Sequence, residues 1–196
     1  KLATTPFLAS LAKKSLVSHH MYPVIPHTSK AFISIFCGIY PKISMEVVEG
    51  EPNGVPARCL PQLLRAIGYK TAIFHPATAR FENYDQLAKN AGFASINLLE
   101  NLPSRGFFRT NYFGYEDRVL LKPSMAWLDQ VRKNKQPFFL AYHTLTSHHG
   151  YMTPPTFKKR EFVKTEDKEY QQYLNSLRYT DDFIKELFQS FKKRGL

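Results

Sequence analysis

The spacing of apolar and polar positions divides the chain into helix-period and strand-period stretches. "TTPFLASLAKKSL" opens on Thr and Pro and sets Phe7, Leu8, Leu11 and Leu16 at roughly helical intervals, which predicts a short amphipathic helix. "VSHHMYPV" predicts a strand, and "TSKAFISIFCG" a helix capped by Thr28 or His27 and stopped at Gly38. "EVVEGEPNGVPAR", rich in Gly, Pro and charge, reads as a surface loop. "CLPQLLRAIGYKTAIFH" then reads as helix, Gly stop and strand, half of a βαβ unit.

From Pro76 to Asn111 the pattern is irregular, with one helix at "NYDQLAKNAGF" and a long loop around "LPSRGFFRTNYFGYED". "DRVLLKPSMAWLDQVRKN" is helical despite Pro123, and "QPFFLAYHTLTS" is an apolar strand. The closing "KEYQQYLNSLRYTDDFIKELFQSFKKRGL" predicts a long amphipathic helix with Leu174, Leu177, Ile184 and Leu187 inward. Alternating helix and strand predicts an α/β sheet with helices on both faces. Since the first and last elements are both helices, the pattern also predicts an incomplete fragment, with a strand lacking at each end.

Length and composition narrow this further. The 196 residues, 43% of them hydrophobic, suffice for one core. A net charge of +11 favours an anionic partner, either a phosphorylated or sulfated substrate or an acidic lipid surface. The basic residues scatter and carry no nucleic-acid-binding signature, so nucleic acid is not the expected partner. No apolar run approaches the roughly 20 residues of a membrane span. Cys37 and Cys59, the two cysteines, lie outside any CxxC pair and read either as one structural disulfide or as two buried thiols.

Three polar knots remain, each beside an apolar element. "PHTSKAF" crowds His27, Thr28, Ser29 and Lys30 onto the first turn of a helix, where unpaired N–H groups and the helix dipole stabilise an anion. Thr28 there reads as an ordinary cap or as a nucleophile, the latter only if a metal or base lowers the hydroxyl pKa. "YHTLTSHHGY" follows a strand, where ligands of open α/β sheets gather, so His143, His148 and His149 are candidates to face a substrate. "FHPATARFENYD" adds His75 at the end of another strand, with Arg80 and Asn83 beyond it.

Taken in order, these segments resemble the sulfatase-type branch of the alkaline phosphatase superfamily, and within it the membrane-anchored phosphoglycerol and phosphoethanolamine transferases, including lipoteichoic acid synthase. "TTPFLASLAKKSLV" is similar to that family's "TPNLDxLAxxG" helix, and "PHTSKAFISIFCGIYP" to its nucleophile helix ending in "TGxYP". "CLPQLLRAIGYKTAIFH" resembles "LPxxLKxxGYxT", and "PFFLAYHTLTSHHGYMTPP" resembles "PFFxxxxTxxxHxPYxxP". The resemblance implies Thr28 as nucleophile and metal ligand, His148 as a contact to the transferred group, and Lys30, Arg80, His75 and His27 as further substrate contacts. It implies one divalent ion (Mn, Mg, Zn or Ca) and phosphoryl-type transfer or hydrolysis on a lipid head group or glycan. It further implies a domain outside the cytoplasmic membrane, near it through segments beyond this chain, a setting that agrees with a Cys37–Cys59 disulfide. Where sulfatases carry a Cys or Ser in "CxPSR", Thr28 stands here and the cation follows two residues on, at Lys30, which points away from sulfate ester hydrolysis. The family's other metal ligands, an acidic pair before the first helix and Asp-His-Gly after the last, are not in the sequence. Residues 1–196 are therefore expected to be part of a catalytic domain, inactive alone; the other reading is a module that binds anionic glycan or lipid head groups without chemistry.

Overall fold

The computed structural model describes residues 3–44 and 46–196. Six helices, α1 (Pro6–Ala12), α2 (Thr28–Cys37), α3 (Leu60–Ala66), α4 (Tyr84–Asn90), α5 (Leu121–Lys133) and α6 (Lys168–Lys192), surround three strands, β1 (Lys70–Phe74), β2 (Ser95–Asn97) and β3 (Phe138–Tyr142). The sheet is wholly parallel in the order β2-β1-β3. Successive residues of β1 face opposite sides, as pleating requires. Ile73 packs with Phe32 and Ile33 of α2, Leu87 and Ala88 of α4, and Phe93, whereas Ala72 and Phe74 pack with Val119, Leu120 and Phe183 of α6. Helices thus cover both faces, and β1 reads as an unbroken buried run because neither side sees water.

Two sequence expectations fail locally. "VSHHMYPV" is not a strand; residues 17–24 run as exposed irregular chain. Without a neighbouring strand its N–H groups have no ladder, and Pro23 removes one donor outright. The segment read as a surface loop is partly interior, because a 3-10 turn at Val48–Gly50 buries Glu49. Elsewhere the signals hold. Pro123 falls in the first turn of α5, where its missing N–H costs no helical bond, and Gly38 ends α2 in the left-handed region at φ 66°. Along α6, Leu174 and Leu187 are buried as expected, Leu177 and Ile184 are half-buried, and Tyr179, Asp181 and Phe183 complete the inner face.

Thr5 and His27 occupy the N-cap positions of α1 and α2, but neither side chain makes a capping hydrogen bond, and Thr28 is the first residue of its helix. The first free N–H groups of α1, at Phe7 and Leu8, donate to the buried Asp181 carboxylate on α6 at 2.9 and 2.8 Å. At α2 the Ser29 N–H donates to Glu82 at 2.8 Å. Both caps arrive from distant sequence and pin a helix start to the body of the fold. Cys37, the last residue of α2, is joined by a disulfide to Cys59 at the start of α3.

Candidate functional site

The first turn of α2 carries four polar side chains, and the fold gives each a different task. Lys30 is fully buried, its ammonium donating to both oxygens of Glu49 at 2.8 Å and to the Glu46 carbonyl at 2.7 Å. All three of its donors are satisfied away from the cleft, so the expected substrate contact at Lys30 is corrected to an internal ion pair. His27 holds Ser29 Oγ through Nδ1 at 3.1 Å and lies 3.3 Å from Glu82 through Nε2. Glu82 and Asn83 both adopt positive φ, at 53° and 50°, and the Asn83 amide bonds the Gly50 carbonyl. A Cβ at position 50 would meet the Glu82 carbonyl oxygen at 2.8 Å, so this close crossing requires glycine. Thr28 alone of the four makes no side-chain hydrogen bond among the described residues, and it lines an open cleft.

That cleft, about 550 Å³, is bounded by the Thr28, Ala31, Phe32 and Ile35 face of α2, by the ends of β1 and β3, and by His27, His143 and His148. A small recess of it adds His75, Thr78 and Phe81. The parallel neighbours β1 and β3 send the loops that follow them, with His75 and with His143 and His148, to one edge, and the first turn of α2 sets Thr28 against that edge, so residues more than a hundred apart in sequence line the same space. His148 is exposed, its ring edge-on to Phe113 at 5.1 Å. The loop that carries it is fixed by Asp117, which accepts from the N–H groups of Leu145 at 2.6 Å and Thr146 at 3.3 Å. Burial raises the Asp117 carboxyl to about 6 despite those bonds.

Beneath the cleft lies a histidine pair. His75 and His143 stack with ring centroids 4.2 Å apart. His75 Nδ1 bonds the His143 carbonyl at 2.9 Å, and the Tyr84 hydroxyl bonds His143 Nδ1 at 2.9 Å. Burial, reinforced by the neighbouring histidines, drives the His75 pKa well down and that of His143 to about 4. Both rings are neutral at pH 7. Arg80 is exposed and outside the residues that line the cleft, and its expected substrate contact is corrected accordingly; the segment after β1 turns away under Glu100, which accepts from Thr78 and Ala79. His149 likewise faces outward, 3.5 Å from Glu169.

Tyr84, Glu82 and Asp117 are parts of the site that sequence reasoning missed. Tyr84 and Glu82 stood in the "FENYD" segment beside His75, a signal open to use, whereas nothing local marks Asp117. Among the described residues no group of three or more His, Cys, Asp or Glu side chains could hold a metal ion. The acidic group bonded nearest Thr28 in sequence, Glu82, is spent on Ser29 and His27, so the donors present do not fit a divalent centre by themselves. No helix among the described residues is long and apolar enough to cross a membrane.

Comparison with known proteins bears on the fold and the family. Lipoteichoic acid synthase of Staphylococcus saprophyticus is 29% identical over 139 residues, covering 66% of this chain and 19% of that protein. The crystal structure of lipoteichoic acid synthase LtaP from Listeria monocytogenes superimposes with a TM-score of 0.86 at 24% identity, over 98% of this chain and 47% of that one. The Streptococcus pyogenes phosphoglycerol transferase GacH, solved with sn-glycerol-1-phosphate, gives 0.68 at 14% identity over 98% of this chain and 52% of that one, a likeness of fold alone. The chain therefore spans about half the length of those solved structures and about a fifth of that curated relative. The sulfatase family profile matches residues 1–196 from end to end, and together with the parallel sheet and the cleft at its edge this establishes that the chain belongs to the sulfatase family.

Proposed function

We propose that residues 1–196 are part of a larger extracytoplasmic catalytic domain that transfers a phosphoglycerol or similar phosphoryl-linked head group through the Thr28 hydroxyl. The observation that carries this reading is that Thr28, alone of the four polar residues on its turn in making no side-chain hydrogen bond among the described residues, and His148 line one cleft. The Thr28 oxygen attacks phosphorus, the bond from phosphorus to the leaving lipid alcohol breaks, and the threonine proton ends on that leaving oxygen. Water or an acceptor alcohol then attacks the threonine phosphoester and restores the hydroxyl. The start of α2 and His148 offset charge on the phosphoryl oxygens. The resemblance implies a divalent cation, and its donors beyond Thr28 would lie outside residues 1–196. Among the described residues no strand pairs with the outer edge of β3, which supports a sheet that continues in the larger domain.

The experiment is adduct trapping. The longer protein that contains this chain is incubated with vesicles of a phosphoglycerol lipid, quenched, and the peptide bearing Thr28 weighed. A glycerol phosphate adduct on Thr28 that is absent from Thr28→Ala, with turnover lost in that variant, is the expected result. Full turnover by Thr28→Ala removes the hydroxyl from the mechanism. A second reading, a module that holds anionic head groups without chemistry, is favoured by the lack of a metal-binding cluster among the described residues. It predicts vesicle binding that is equal in the two proteins, with no adduct in either.

A further inference from the structure

The stacked histidines under the cleft have a hydrogen-bonding polarity that can be worked out from their partners. Tyr84 is 1% exposed, and its hydroxyl has a single partner among the described residues, His143 Nδ1. If the histidine donated to the phenol oxygen, the Tyr84 proton would be left buried without an acceptor, a costly arrangement. Tyr84 therefore donates, consistent with burial holding the phenol protonated, and His143 Nδ1 accepts. A neutral imidazole that accepts at Nδ1 carries its hydrogen at Nε2. For His75 the logic runs the other way, since a carbonyl oxygen can only accept, so Nδ1 carries the hydrogen and Nε2 is a bare lone pair. Neither Nε2 has a partner among the described residues, and both rings line the recess shared with Thr28. The walls of cleft and recess include no Lys, Arg, Asp or Glu.

We propose that His143 donates its Nε2–H to a non-bridging oxygen of the phosphoryl group brought to Thr28, with Tyr84 as the positioning residue that fixes this tautomer; the proposal deepens the Thr28 reading and rests on it. A neutral donor suits the place. It costs far less to bury than a cation, its strength grows as negative charge builds on the oxygens in the transition state, and no proton need be transferred. The stack on His75 fixes the ring plane, and the Tyr84 bond occupies the Nδ1 edge, leaving the Nε2 edge without a partner among the described residues.

The test uses histidine-labelled chain, side-chain nitrogen NMR and inorganic phosphate as probe. Unaltered chain is expected to show His143 in the Nε2–H form at neutral pH and to shift that resonance as phosphate is added. Tyr84→Phe, which deletes one oxygen and keeps the ring, should give a mixture of tautomers, bind phosphate about tenfold more weakly, and in the longer protein lower kcat about tenfold with a smaller change in KM. Finding the Nδ1–H form in unaltered chain overturns the proposal without any variant. So does a His143 resonance unmoved at the highest phosphate concentration the chain tolerates. The glycerol phosphate adduct on Thr28 and the phosphate shift of the His143 resonance are separate readouts, so a failed nucleophile and a failed His143 contact give different results.

Discussion

Lys30 and His143 show how burial decides what a charged or titratable side chain can do. Lys30 is buried against Glu49, whose two oxygens both accept from its ammonium at 2.8 Å, so removing either partner strands the other in the interior. Lys30→Ala should destabilise the chain by about 3–5 kcal/mol in urea titration, and replacing both partners by Met and Leu should cost much less. For His143 the sign of the pH effect follows from its depressed pKa. Between pH 6.5 and about 4 the unfolded chain binds a proton that the folded chain refuses, so this residue's contribution falls as pH falls through that window. Asp117 works oppositely: its folded pKa of about 6 exceeds the usual 3.8, so from pH 6 downward the folded chain binds more protons and gains stability. The two effects offset near pH 5. His143→Gln should therefore lose less stability than the unaltered chain between pH 7 and 5, and Asp117→Asn should lose more, as read from urea midpoints at each pH.

At the scale of elements, α2 is the part on which the site depends, and it is fixed at both ends by chain distant from it. Its start is held by Glu82 and its end by the Cys37–Cys59 disulfide, 22 residues apart in sequence. Loop-closure entropy gives that crosslink about 3 kcal/mol. The double variant Cys37→Ala with Cys59→Ala should lose about that much in thermal or urea unfolding, and a loss below about 0.5 kcal/mol would mean the crosslink does not constrain the unfolded chain. Helix existence was legible from periodicity for the six helices of the described residues, because their apolar positions recur at helical spacing, most clearly in α2, α5 and α6, which bury one face. The groups that satisfy the starts of α1 and α2 were not legible, since Asp181 and Glu82 come from distant sequence, whereas the Gly38 stop of α2 was a local signal. β2, three residues long, was also missed; "SIN" is too short to show a period, and it is a strand only because β1 offers it a ladder.

For the molecule as a whole, the chain carries the proposed nucleophile and the proposed phosphoryl contacts but no cluster of metal donors among its described residues. Calorimetric titration of Mn²⁺ into the 196-residue chain should show no saturable binding near micromolar, whereas the longer protein should bind one ion. Micromolar binding by the chain itself would mean that the donor set is complete within it. By itself the sequence determined the helices, the apolar strands β1 and β3, the α/β class and, through the order of its motifs, the family, because periodicity and motif order are properties of the chain read in line. Tertiary structure alone decided which polar side chains reach the cleft. Lys30 and Thr28 are two positions apart on one turn, a rotation of about 200° around the helix, so one is sealed against Glu49 while the other faces the space shared with His148. That sorting depends on which side of α2 the sheet covers, and no local pattern encodes it.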